Sequence, residues 1–518
     1  MWLAAALASA MVPMAAQAQF APAEVQAAIR AARMPDRNVR DFYRARSHQP
    51  LWLRDGRLGP EADAFVRLIE SAGVEGLDPD DYRPGRLADA IDAARAGPPA
   101  ALAQAEILLS RRFAQYVRDV RRPPRRPAMI YAERGLGPLR PTLRAVLERA
   151  ARAPSLAEHL ETIGWMHPIY GRLRNALAAD PGDYRASPIQ IPPGPTLREG
   201  STGERVRMLR ARLGLDPDGP FDAEVARVLR DFQGAHGLPR DALAGPLTLA
   251  ALNGGGGGGR GLSPDQRRTL QINLARARAL PAEPPSRYIL VDAAAARLWT
   301  YENGRVRDTM RVVVGRVTDQ TPMIAGMIRY ATLNPYWNVP PDLVASRIAP
   351  NVLDDGMSYL RGRGYEVLSD WSNNPVQLDP ETIDWAAVAA GRREIRVRQR
   401  PGPSNAMGRM KFQFPNNLGV YLHDTPERDL LRETARQRSA GCVRVEDAPR
   451  LARWLFGRMP TAPSRAPEQQ IPLAQPVAVY ITYLTAAPDG DRIAFREDVY
   501  GRDNAPRRQS AELKLPFL

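Results

Sequence analysis

Apolar residues recur at helical spacing through the first third of the chain and alternate with polar ones in its last third. Ala23–Met34 is alanine-rich and predicts one helix. Pro60–Ala72 sets Ala64, Phe65, Leu68 and Ile69 at helical intervals, and Ala101–Val120 does the same with Ile107, Leu108, Phe113, Tyr116 and Val117. Further helical pattern lies at Pro141–Ala151 and at Leu173–Ala178. The stretch Arg121–Pro127 must break any helix, because proline lacks the N–H and crowds the preceding turn. From Pro284 the period becomes two. Strands are predicted at Tyr288–Asp292, Arg297–Tyr301 and Arg305–Val314, the last two joined by an Asn303-Gly304 hairpin turn. More follow at Met327–Leu333, Glu394–Arg398, Met410–Phe414, Gly419–His423 and Val477–Tyr483, with helices at Pro341–Leu353, Asp384–Ala390 and Glu446–Phe456. Closely spaced antiparallel strands with few helices point to a sheet sandwich or barrel-like domain. Residues 341–393 interrupt it as an insertion beside the sheet, which could serve as a lid.

Between these regions, residues 181–195 hold five prolines and two glycines and read as a linker. Two amphipathic helices follow, Glu204–Leu213 with Val206, Leu209 and Leu213 inward, and Asp222–His236 with Val225, Val228, Leu229 and Phe232. Gly245-Pro246-Leu247-Thr248 opens a third. The hexaglycine run Gly254–Gly259 can only be a loop or flexible linker, and helical pattern resumes over Ser263–Leu280. The chain is therefore expected to be multidomain. A segment at 1–18 precedes a helical scaffold at 21–190, a small three-helix domain at 196–253, and a glycine linker with connecting helix at 254–283. A mainly-β domain at 284–485 and a C-terminal extension at 486–518 complete it.

Composition fits folded domains: 44% hydrophobic and 25% charged over 518 residues, too long for a single core. The net charge of +15 is almost wholly arginine, with lysine only at Lys411 and Lys514, and it is spread along the chain. No nucleic-acid-reading module accompanies it, so nucleic acid is not an expected partner. Leu3–Ala16 is apolar and small-residue-rich and precedes Ala16-Gln17-Ala18, the pattern of a secretory signal peptide, although no Lys or Arg precedes the run. Export is expected; an uncleaved segment would leave a membrane association. No metal-ligand spacing and no phosphate-cradling loop stands out, so neither metal nor cofactor is expected.

The chemistry concentrates at residues 421–444. Cys442 is the sole cysteine, and an exported lone thiol is exposed to oxidation, so its retention suggests a use. Ser439-Ala440-Gly441-Cys442 reads as a tight turn, and Gly-Val-Tyr-Leu-His as a strand delivering His423 to an edge. A thiol needs a base or cation to act as a nucleophile, which His423 can supply. Tyr421 shares the imidazole's face, and Arg444 shares the thiol's, at two-residue spacing. Backbone N–H groups around Gly441 and Cys442 are candidate oxyanion donors. Trp337 is a candidate for lining a cleft.

Two resemblances give these residues a context. The three-helix unit resembles the small peptidoglycan-binding domain of bacterial wall enzymes, through Gly200, Phe232-Gln233, Gly237-Leu238 and Gly245-Pro246. The region Arg287–Trp454 resembles the L,D-transpeptidase family, in its large periplasmic branch. The resemblance rests on Met310-Arg311-Val312-Val313-Val314-Gly315, Thr321-Pro322, Asn334-Pro335-Tyr336-Trp337-Asn338-Val339-Pro340, Ser404-Asn405-Ala406-Met407-Gly408, His423-Asp424-Thr425-Pro426 and Ser439-Ala440-Gly441-Cys442-Val443-Arg444. Ala440 departs from members that carry histidine there. The resemblance implies Cys442 as nucleophile and His423 as base and acid, acting on peptidoglycan stem peptides in cell-wall biogenesis. D-alanine would leave a tetrapeptide donor, and 3-3 crosslinks would form through a thioester. Water or a protein amine as acceptor remains open, as does a non-catalytic wall-binding scaffold.

Overall fold

The computed structural model describes residues 23–503 except 55, 96, 124–127, 181–188, 190, 236–239, 246–247, 250–251, 254–261, 373 and 491. The signal-peptide pattern, the hexaglycine run, most of the proline-rich linker and the start of the third small-domain helix lie outside the described residues. Among the described residues no helix is long and apolar enough to cross a membrane.

The described residues form two compact units, the first within 23–123 and 139–171 and the second within 128–138 and 172–503. The first is helical. Expected helices occur as Ala23–Ala31, Glu61–Glu70, Pro99–Val120 and Leu143–Arg152; Arg37–Ala45, Pro84–Arg95 and Leu156–Glu161 add to them, with a small hairpin of β1 (Leu53–Arg54) and β2 (Arg57–Leu58). Its core is aromatic: Phe113 meets Trp52, Phe65 and Trp165 edge-on at centroid distances of 5.8, 5.6 and 5.3 Å. The buried Glu106 carboxylate accepts from the Leu51 and Trp52 N–H groups at 2.6 and 3.0 Å and from the Tyr43 hydroxyl at 2.6 Å.

In the second unit, helices Glu204–Arg212 and Ala223–Ala235 pack on a core of Val206, Leu209, Phe221, Val225, Leu229 and Leu252. The mainly-β part begins with β3 (Ile130–Tyr131), far upstream in sequence. It continues with β4 (Arg287–Asp292), β5 (Arg297–Glu302), β6 (Arg305–Gly315), β7 (Ile324–Leu333) and β8 (Trp337–Val339), then β9 (Tyr365–Leu368), β10 (Gln377–Leu378), β11 (Arg396–Gln399), β12 (Met410–Gln413) and β13 (Leu422–His423). Last come β14 (Gln437–Ser439), β15 (Val443–Val445), β16 (Gln469–Thr482), β17 (Ala486–Asp489) and β18 (Arg492–Phe495). The large sheet runs β12-β13-β15-β6-β5-β4-β16-β7, and β7 pairs back onto β12, so its hydrogen-bonded path closes into a barrel. Alternating apolar residues fill it; Ile289, Val291, Val312, Leu422 and Val479 are fully buried.

The segment between β8 and β11 forms its own four-stranded sheet, β10-β9-β11-β8, over a core including Val339, Leu343, Ile348, Trp385 and Val397. Its first and last strands along the chain, β8 and β11, lie on either side of the expected limits of 341 and 393. The helix expected over Pro341–Leu353 is divided into Pro341–Leu343, a π-helical turn at Val344–Ile348, and Ala349–Asp355. Pro350 cannot donate to the carbonyl four residues back, which accounts for the irregular turn.

Candidate active site

Two short parallel strands carry the reactive groups. β13 lies beside β15 with Leu422 opposite Val443 and His423 opposite Arg444, and the Val443 N–H donates to the Tyr421 carbonyl at 3.1 Å. This register sets Tyr421, rather than His423, level with Cys442. β13 is shorter than the predicted Gly419–His423. The Asn416 side chain captures the Leu418 and Val420 N–H groups and the Phe414 and Val420 carbonyls, which holds the preceding residues in a turn.

The nucleophile turn is fastened from within. The Ser439 hydroxyl donates to the Cys442 carbonyl at 2.6 Å and accepts from the Gly441 N–H at 3.2 Å. The Gly441 N–H, expected as an oxyanion donor, is therefore already engaged, and its φ of +106° is a conformation that favours glycine. The Cys442 N–H has no protein acceptor among the described residues.

The Cys442 side chain keeps part of its surface accessible, and its Sγ lies 3.5 Å from the Gly419 carbonyl. Enough protein packs around the sulfur that burial pushes the thiol up to about 11. The Tyr421 N–H, the Arg444 charge, the Tyr421 hydroxyl and the Lys411 charge oppose that rise. His423 is buried, and burial, with the charges of Arg444 and Lys411, pushes its imidazole down to about 3. Its Nδ1 lies 2.6 Å from the Asp424 carbonyl. A carbonyl only accepts, so Nδ1 carries the proton and Nε2 is the basic nitrogen. Thiol and imidazole thus rest neutral. They share one face of adjoining strands, but among the described residues no hydrogen bond joins them.

The Asp424 carboxylate does not orient His423. It accepts from the Arg409 N–H at 2.9 Å and from Arg428 at 2.6 Å. The Tyr421 ring stands 6.2 Å from that of His423. Arg444 is buried and ion-paired with Glu427 while its charge still acts on both Cys442 and His423. Trp337 is placed differently: it packs on the core of the β8–β11 segment, 6.3 Å from Tyr365. Two contributors escaped sequence reasoning. Lys411 lies opposite His423 across β12 and β13 and pairs with Glu468 at 3.2 Å; its only signal was being one of two lysines. The Thr321 hydroxyl donates to the Gly441 carbonyl at 2.8 Å, from within the Thr321-Pro322 pair.

Three family models match the chain. Residues 286–471 match the L,D-transpeptidase catalytic domain, 37–177 a scaffold domain, and 202–252 a domain described as "Putative peptidoglycan binding domain". The chain thus carries an L,D-transpeptidase catalytic domain together with scaffold and peptidoglycan-binding domains. Among curated proteins it is 31% identical over 241 residues to a Haemophilus influenzae protein named "Putative L,D-transpeptidase", covering 45% of this chain and 48% of that one. It is also 40% identical over 62 residues to the zinc D-Ala-D-Ala carboxypeptidase of Streptomyces albus G, covering 10% of this chain and 24% of that one. The chain thus spans about half the length of the first relative and a quarter of the second. A solved L,D-transpeptidase from Xylanimonas cellulosilytica aligns at 18% identity and a TM-score of 0.15, over 56% of this chain and 99% of that structure.

Proposed function

We propose that the protein is an exported cysteine-dependent L,D-transpeptidase acting on peptidoglycan stem peptides. The observation that carries this reading is the placement of a partly exposed Cys442 on the same face as a neutral His423 whose Nδ1 is held by the Asp424 carbonyl. Sγ attacks the carbonyl that precedes the terminal D-alanine of a tetrapeptide. An S–C bond forms, the C–N bond breaks, and the thiol proton passes through His423 to the departing amine. The thioester then transfers to the side-chain amine of a second stem, which gives a 3-3 crosslink and restores the thiol. The Cys442 N–H supports the oxyanion in both steps. The match to a peptidoglycan-binding domain supports a wall substrate.

The test compares muropeptides from cells expressing wild type and Cys442→Ala. Crosslinks between third-position residues should rise only with wild type. Identical profiles would sink the enzymatic reading. Tripeptides without crosslinks would point to water as the acceptor.

A further inference from the structure

We propose that Tyr500 and Thr321 act as positioning residues for the nucleophile turn, so that the C-terminal segment 498–503 is a working part of the site. This rests on the reading of Cys442 as an acyl-accepting nucleophile.

The loop between β6 and β7 lies directly beneath the turn. A Cβ built on Gly441 would stand 3.8 Å from the Asp319 carbonyl oxygen. The Thr321 hydroxyl is buried and engaged both ways: it accepts from the Gly315 N–H at 2.8 Å and donates its only hydrogen to the Gly441 carbonyl at 2.8 Å. That carbonyl and the Cys442 N–H belong to one planar trans peptide and point in opposite directions. Fixing the oxygen from below therefore aims the unengaged Cys442 N–H away from the loop, as a pre-set oxyanion donor requires.

The C-terminal segment closes this loop. The Tyr500 hydroxyl donates to the Gly315 carbonyl at 2.5 Å and lies 3.5 Å from the Thr321 N–H. Arg502 donates to Gln320 at 2.7 Å and to the Thr321 carbonyl at 3.0 Å, and Gln320 donates to the Tyr500 carbonyl at 3.0 Å. Tyr500 is itself held. Its ring stacks on Tyr483 at 4.8 Å and its N–H donates to the Tyr483 hydroxyl at 2.9 Å; that hydroxyl in turn donates to Asp498 at 2.7 Å. A chain of buried contacts thus runs from residue 500 to the peptide plane of the nucleophile.

The test uses the full chain, whose single cysteine gives an unambiguous readout. Two reagents are compared: p-nitrophenyl acetate, which acylates through a tetrahedral oxyanion, and iodoacetamide, which alkylates without one. Thr321→Val should slow acylation on the order of 10–100-fold and Tyr500→Phe about tenfold, with alkylation changed less than about twofold. Thr321→Ser, which keeps the hydroxyl, should restore acylation. Equal loss with both reagents marks a merely structural role and overturns the proposal. So does unchanged acylation in folded variants, a Thr321→Ser that behaves like the valine variant, or a wild type that alkylates but is not acylated. Tyr500→Phe and Thr321→Ser preserve size and keep the comparison open if Thr321→Val does not fold. Neither reagent depends on the wall substrate, so failure of the muropeptide test would leave this result standing.

Discussion

Tyr421 stands level with Cys442 across the parallel ladder, where its backbone N–H and its hydroxyl both act on the ionisation of the sulfur. Both favour the thiolate, and the thiol in turn pushes the tyrosine's own ionisation upward, behind the larger effect of burial. Tyr421→Phe removes one donor and keeps the ring. One hydrogen bond to a charged sulfur is worth about 1.5 kcal/mol, so the thiol should shift upward by roughly one pH unit and alkylation by iodoacetamide at fixed pH should slow about tenfold. An unchanged rate would mean that the hydroxyl contact contributes nothing to the thiolate.

The pH profile follows from the same site. With the imidazole near 3 and the thiol near 11, the neutral pair persists across the physiological range. Acylation of Cys442 by a carbapenem should therefore be nearly flat between about pH 5 and 9, without the fall near pH 6.5 that an ordinary histidine would impose. Activity should decline only as acid protonates His423 at far lower pH. An acid limb centred near 6.5 in wild type would show that His423 is not held neutral by its surroundings. His423→Gln should lower acylation by about two to four orders of magnitude throughout this range.

The mainly-β reading and the long helix Pro99–Val120 were legible because they rest on sustained periodicity. What escaped was short or distant. β13, β14 and β15 are two or three residues each, and their pairing depends on partners in β12 and β6. The closure of β7 onto β12 joins residues about eighty positions apart and leaves no local signal. Cys442 and His423 stood out by rarity and spacing, but the one-step displacement that brings Tyr421 to the sulfur is a property of register. Thr321 belongs to a pair that carries the family resemblance, but its place under Gly441 is set by the fold.

The helical unit should be acid-labile. Burial pushes both His159 and His167 down to about 4. A histidine whose folded pKa is depressed stabilises the fold above its unfolded value near 6.5, and that stability is lost as pH falls toward the folded value. Between about pH 7 and 5, each should cost about 1 to 2 kcal/mol. Urea unfolding followed by tryptophan fluorescence should show the loss, and His159→Phe should remove part of the slope between those pH values. Equal midpoints at both pH values would contradict it.

Gly408 packs against Asp424, the residue whose carbonyl holds the imidazole. It adopts φ +62°, and a Cβ there would sit 2.5 Å from the Asp424 carboxyl carbon. Space and backbone both demand glycine. The left-handed conformation alone costs a side-chain-bearing residue about 1 kcal/mol, and the contact adds to that because the carboxylate is fixed by the Arg409 N–H and by Arg428. Gly408→Ala must therefore shift Asp424, whose carbonyl holds His423 Nδ1. Stability should fall by about 2 to 3 kcal/mol. Carbapenem acylation should fall further than lost stability explains, because the general base loses the partner that fixes its tautomer. Acylation and thermal unfolding measured on one preparation separate the two effects: full acylation rate per folded molecule would show that Asp424 can move without disturbing His423.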